Sequence, residues 1–97
     1  MIAVKNFAYI CQIRSNIRCV NEISYEEIIK VFKGEKPLKR ENFCYFIGFF
    51  DSCSIRLIKA FMQERNISRE QILKVFYALP DIGETYYFRK AVQNGEF

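Results

Sequence analysis

Residues that could perform acid–base, nucleophilic or metal chemistry are few and scattered in this chain. The sequence contains no histidine, and its four cysteines form no C-x-x-C pair, so the ligand spacing of a zinc site is missing. The adjacent acids Glu26 and Glu27 fall in the first turn of a predicted helix, where the helix dipole favours negative charge for structural reasons. The four glycines form no phosphate-binding loop. We therefore expect a protein that is not an enzyme and has no metal or cofactor; a reactive cysteine of lowered pKa would revive a catalytic role.

The amino terminus and the cysteines indicate in which cellular compartment the protein resides. The amino terminus lacks the basic start, apolar run and cleavage site of a signal peptide, so we expect a cytoplasmic protein. In that reducing environment Cys11, Cys19, Cys44 and Cys53 are expected to be free and mostly buried thiols. The aromatic run at 43–50 is too short to span a bilayer, so no membrane association is predicted.

Positive charge is concentrated in one short segment. Against the single acid Glu35, the segment carries five basic residues: Lys30, Lys33, Lys36, Lys39 and Arg40. Lysine and arginine side chains bind nucleic acids by neutralising backbone phosphates. The net charge of +4 for the whole chain permits such binding without requiring it. The segment is thus either a phosphate-binding surface or an ordinary solvated face.

The elements that position this segment are predicted to be helices in one small domain. A length of 97 residues fits a single domain with a modest core. Apolar residues recur at three- and four-residue steps, which predicts an all-α fold of five or six short helices. The predicted helices cover about 3–20, 25–33, 38–50, 55–65, 69–79 and 83–92, and the first of these is either one helix or two short ones broken near residues 15–16. Aromatic residues make up 16% of the chain, which is much apolar surface for so small a body and favours a homodimer or a protein partner.

One motif occurs twice, at an offset of 44 residues. In each copy a serine, Ser24 or Ser68, is followed three residues later by Glu27 or Gln71, the capping box of a helix start. The two copies share seven positions: Ile23, Ser24, Glu26, Ile28, Lys30, Val31 and Phe32 recur as Ile67, Ser68, Glu70, Ile72, Lys74, Val75 and Phe76. Glu26 with Lys30, and Glu70 with Lys74, are spaced for i,i+4 ion pairs. The single domain 1–97 is therefore predicted to contain an internal duplication of a helix-turn-helix unit, over about 23–50 and 67–92.

The first copy, ISYEEIIKVFKG followed by EKPL and an aromatic helix, resembles part of the lambda-repressor/Cro-like (XRE-type) helix-turn-helix proteins. The stretch Ile23–Phe50 looks like that family's serine-capped recognition helix, exit glycine, proline turn and following core helix. The resemblance implies that Tyr25, Glu26, Ile29 and Lys30 face base edges in the major groove. It further implies that Lys33, Lys36, Lys39 and Arg40 lie near the phosphate backbone, and that the protein is a dimer.

Two functions follow from these observations and remain open at the level of sequence. The first is a small DNA-binding transcriptional regulator of phage or mobile-element type, which uses Tyr25 and Lys30 for base or groove contacts and the other basic residues for phosphates. The second is a non-enzymatic protein-binding inhibitor or adaptor, for example of a host or defence complex, which acts through an aromatic surface. In the second interpretation the two helical units pack on each other, and the caps and prolines only delimit helices. Burial of both Ile29 and Leu73 would favour the protein-binding interpretation, because a helix face that is buried in the protein cannot enter the major groove of DNA.

Overall fold

The computed structural model describes residues 23–97, and the helix predicted over 3–20 lies outside this part of the chain. The described residues form five α-helices joined by short connections: α1 Tyr25–Phe32, α2 Phe43–Ser52, α3 Ile55–Arg65, α4 Arg69–Ala78 and α5 Tyr86–Gln93. Single 3₁₀ turns, Arg40–Asn42 and Gly83–Thr85, precede α2 and α5. Residues 23–97 contain no strand. The predicted all-α class is confirmed.

Serine side chains start three of the helices. The hydroxyl oxygens of Ser24, Ser54 and Ser68 each accept a hydrogen bond from the backbone N–H three residues later, at 3.1–3.2 Å. At Ser68 the box is complete, because Gln71 Oε1 also accepts from the Ser68 N–H at 2.9 Å. Each bond satisfies a backbone donor that the first helical turn would otherwise leave unpaired.

The third predicted helix starts later than expected. Its sequence signal begins at Leu38, directly after Pro37, but Lys39 is extended (φ −90°, ψ 143°) and α2 begins only at Phe43, after the 3₁₀ turn. Leu38 packs against the core ahead of the extended Lys39 and lies outside the helix. The predicted stop near Phe50 is confirmed to within two residues, since α2 ends at Ser52.

Helix α2 is the centre of the core. Its residues from Cys44 to Phe50 are all buried, and it contacts α4 and α5. The Phe50 ring lies 6.4 Å from that of Phe32, 5.1 Å from Phe76 and 4.5 Å from Phe88, measured between ring centroids. Phe50 thereby joins the two halves of the described chain through aromatic contacts in the preferred edge-on and tilted geometries.

The same order of elements occurs in both halves. A serine-capped helix, a 3₁₀ turn and a second helix follow one another in α1–α2 and again in α4–α5. Equivalent apolar residues are buried in both, including Ile28 with Ile72 and Phe32 with Phe76. An internal duplication remains a prediction, and this parallel order is consistent with it.

The prediction of four free thiols is wrong at Cys44, which is disulfide-bonded. Cys53 is free and buried, as expected. Cys11 and Cys19 lie outside the described residues. The expectation of free thiols was based on the lack of a signal peptide, which indicates a reducing compartment. That argument does not determine whether two particular cysteines lie close enough in the fold to form a disulfide.

Candidate nucleic-acid interface

The predicted phosphate-binding residues lie on the loop that follows α1 and, in the case of Arg40, at the start of the 3₁₀ turn after that loop. Gly34 adopts φ +77°, which lets the chain reverse directly after the helix. The Gly34 N–H donates to Val31 O at 3.1 Å, and the Glu35 N–H donates to Lys30 O at 2.8 Å. These two bonds are the Schellman motif, and they fix the start of the exit loop, residues 33–39. The backbone at the start of the loop is therefore held in a defined conformation, from which the lysine side chains extend into solvent.

All five predicted basic side chains are exposed on this surface: Lys30, Lys33, Lys36, Lys39 and Arg40. We call them the basic surface. Within residues 23–97 none of the five forms an ion pair. The predicted pairs Glu26–Lys30 and Glu70–Lys74 do not form, because the small gain of an exposed pair competes with the rotamer entropy of two long side chains. The cations of the basic surface are consequently free to meet an external anion.

Tyr25, the remaining predicted DNA contact, is held against α3. Its side chain is half-buried, and the guanidinium of Arg65 lies 4.9 Å from the centre of its ring. The Tyr25 hydroxyl is buried and has no hydrogen-bond partner among the described residues. Burial raises the pKa of Tyr25, and the nearby Arg65 charge partly opposes that rise. In this position the Tyr25 hydroxyl cannot reach a base edge without a change of rotamer.

Ile29 and Leu73 occupy equivalent places in the repeated motif but differ in burial. Ile29 is 8% exposed and belongs to the core, whereas Leu73 is half-buried and packs on the core's edge. The face of α1 that carries Ile29 therefore lies inside the protein. The base-facing position that the family resemblance implies for Ile29 is wrong, because this side chain packs into the core.

A groove that the sequence did not reveal lies beside the basic surface. It has a volume of about 510 Å³ and separates the exit loop of α1 from α4. Lys33 and Lys36 line one wall, and Lys74 of α4 lines the other. We call it the α1–α4 groove. The sequence did not identify Lys74 as a candidate because it does not show how close the two copies of the motif lie in space. The repeat was the one available signal, since the 44-residue offset places Lys74 at the position equivalent to Lys30.

Aromatic exposure is confined to tyrosines in the described part of the chain. The large apolar side chains that are exposed there are Tyr77 at 62%, Tyr86 at 51% and Tyr87 at 82%. Most phenylalanines of residues 23–97 are buried, and Phe43 is half-buried. Most aromatic side chains of residues 23–97 are thus buried in the core, and the exposed aromatic surface available to a protein partner consists of tyrosines.

Two other classes of site have little support in residues 23–97. No group of three or more acidic or cysteine side chains is placed to hold a metal ion in this region. None of the helices that the structure describes combines the length and apolar character needed to cross a bilayer.

Comparison with known proteins gives no match: no family model, no curated protein and no solved structure resembles the chain closely enough to count. The function is therefore inferred from the residues and their geometry.

Proposed function

We propose that this protein is a small DNA-binding regulator that binds duplex DNA mainly through backbone phosphates. The observation that carries the proposal is the basic surface: five exposed cations on the end of α1, the exit loop and the first residue of the 3₁₀ turn that follows, none of them paired with an acid in the described chain. Unpaired lysines and arginines on a fixed surface release counterions from DNA when they bind, which is the main source of sequence-independent affinity.

The buried face of α1 limits what this helix can do in the complex. Ile29 lies in the core, and the Tyr25 hydroxyl is buried. Of the four residues predicted to contact bases, only Glu26 and Lys30 are therefore exposed. An acid such as Glu26 is repelled by phosphate. The proposal is therefore for contacts that position the protein on the duplex, with base reading by α1 reduced to Lys30.

Titration of a random-sequence duplex against salt tests this proposal. Lys36→Ala combined with Lys39→Ala should weaken binding equally on different sequences and reduce the slope of log K against log salt by about 0.9 for each phosphate that is no longer neutralised. Arg56→Ala combined with Lys90→Ala, which removes two exposed cations outside the groove, is the matched control and should leave the slope unchanged. Tyr25→Phe should bind as the unmutated protein does. Absence of salt-sensitive binding at micromolar protein would refute the DNA-binding proposal.

The second candidate is a protein-binding inhibitor or adaptor, and the exposed tyrosines favour it. Tyr86 and Tyr87 are in ring contact at 5.5 Å and stand at the start of α5, largely open to solvent. Tyrosine is enriched in the energetically important centres of protein interfaces. If the duplex titration is negative, Tyr87→Ala should then reduce binding to a partner isolated from the host while leaving the melting temperature unchanged.

A further inference from the structure

Helix α4 presents a continuous exposed stripe next to the basic surface. Glu70, Lys74, Tyr77 and Ala78 are exposed and stand at i, i+4, i+7 and i+8, so they share one face of the helix. The opposite face is anchored in the core by Ile72 and Phe76, which are 0% and 1% exposed. The stripe is consequently an outward surface of fixed orientation.

The position of α4 is set at its amino-terminal end. Asn66 closes α3 in the left-handed conformation (φ 56°), and the next residue, Ile67, is buried. Ser68 and Gln71 then form the complete capping box. Arg69 Nε donates to the backbone oxygen of Phe97 at 2.8 Å. The backbone of α4 is therefore already ordered before a ligand binds, and only the exposed side chains lose conformational entropy on binding.

The groove brings the α4 stripe and the basic surface together. Lys74 and Ala78 line one wall of the α1–α4 groove, and Lys33 and Lys36 line the wall opposite. Three cations from two separate elements therefore surround one groove, with Glu35 as the single acid in its lining. A polyanion that contacts Lys33 and Lys36 comes within reach of Lys74.

We infer that the duplex lies against α4 as well as against the exit loop, and this inference rests on the proposed function. Lys74 pairs with a backbone phosphate, and the hydroxyl of Tyr77 donates a hydrogen bond to a phosphate oxygen. Tyrosine and lysine side chains are among the usual phosphate contacts of DNA-binding proteins. The methyl side chain of Ala78 leaves room for the backbone to approach. Glu70, on the same stripe, weakens binding by repelling the nearest phosphate.

Two substitutions of opposite sign test the placement, again by titration of a random duplex against salt. Lys74→Ala should reduce the salt slope by about 0.9, equivalent to one phosphate. Glu70→Gln should tighten binding a few-fold, because it removes one exposed like charge while keeping the shape of the side chain. Tyr77→Phe should weaken binding by about two- to ten-fold, the value of one hydrogen bond.

Matched controls separate this inference from the proposed function. Lys90→Ala and Glu96→Gln change the same charges at exposed residues outside both the groove lining and the α4 stripe, and should leave affinity and slope unchanged. Thermal melting of every variant verifies that the fold is retained. If Lys36→Ala with Lys39→Ala lowers the slope but Lys74→Ala and Glu70→Gln do not change binding, the placement against α4 is wrong and the proposed function stands. If the unmutated protein shows no salt-sensitive binding, both fail.

Discussion

The Nε–H of Arg69 donates a hydrogen bond to the backbone oxygen of Phe97 at 2.8 Å, which ties the first turn of α4 to residue 97. The guanidinium also lies 5.8 Å from the centre of the Phe97 ring, and that ring packs 5.0 Å from the ring of Phe88. The segment after α5 is thereby fixed to two helices. Gly95, at φ +76°, makes the reversal that brings Phe97 back onto them.

This contact predicts a measurable loss of stability. Phe97→Ala should lower the free energy of unfolding by about 3 kcal/mol, because it empties a site that is 9% exposed and removes the packing against Phe88. Arg69→Met keeps the aliphatic stem but removes the charged hydrogen bond, and should cost about 1.5 kcal/mol. Urea unfolding measures both.

Tyr87→Ala is the control for these two variants. Tyr87 is also aromatic but is 82% exposed, so its removal should change the unfolding free energy by less than about 0.5 kcal/mol. An Arg69→Met protein as stable as the unmutated one would show that the bond to Phe97 contributes nothing in solution.

Two glycines in connections should respond oppositely to alanine. Gly34 stands at φ +77°, where an L side chain is strained, so Gly34→Ala should destabilise the protein by about 1–2 kcal/mol although no atom obstructs the new methyl group. Gly83 has no positive φ and open space around its Cα, so Gly83→Ala should be neutral or stabilise by up to about 1 kcal/mol. Thermal unfolding of the pair compares the two directly. Equal melting temperatures would contradict the left-handed turn at Gly34.

Asp51 gives a pH-dependent prediction. Its pKa is raised, mainly by partial burial of the carboxyl and to a smaller extent by the negative charge of the nearby Glu84. Asp51 also lies in the last turn of α2, where the helix dipole disfavours negative charge. In the folded state the proton is therefore held to higher pH than in the unfolded chain. The contribution of Asp51 to stability is most favourable below the ordinary pKa of 3.8 and is lost as pH rises through the raised value.

Asp51→Asn should accordingly raise the melting temperature at pH 7, by a few degrees at most, because the residue is only slightly buried and solvent screens most of its charge. Below pH 3.8 the gain should vanish, since Asp51 is then neutral in both states. Asp81→Asn serves as the contrast. Asp81 pairs with Arg89 at 3.1 Å, so its replacement should give no such gain. A melting temperature for Asp51→Asn that is unchanged at both pH values would show that Asp51 is not destabilised by the fold.

The sequence predicted the starts of α1, α3 and α4 correctly because the capping rules involved act over a few residues. The hydroxyl of Ser68 and the N–H of Gln71 are three residues apart, and Gly34 turns the chain through its own φ angle. It was less accurate for the region after Pro37, where Leu38 leaves its predicted helix to contact the core. It also failed at Cys44, since sequence spacing does not determine which sulfurs meet in space.

The amino-acid sequence alone determined the all-α class, the serine caps and the concentration of cations in the segment from Lys30 to Arg40, because composition and short-range periodicity are properties of the chain. Only the tertiary structure decided which faces are free. Ile29 and Leu73 hold the same place in the repeated motif, yet one is buried and the other half-buried, because burial depends on the neighbouring helix. Lys74 joins Lys33 and Lys36 at one groove for the same reason: α4 packs beside α1, and no local rule specifies that contact.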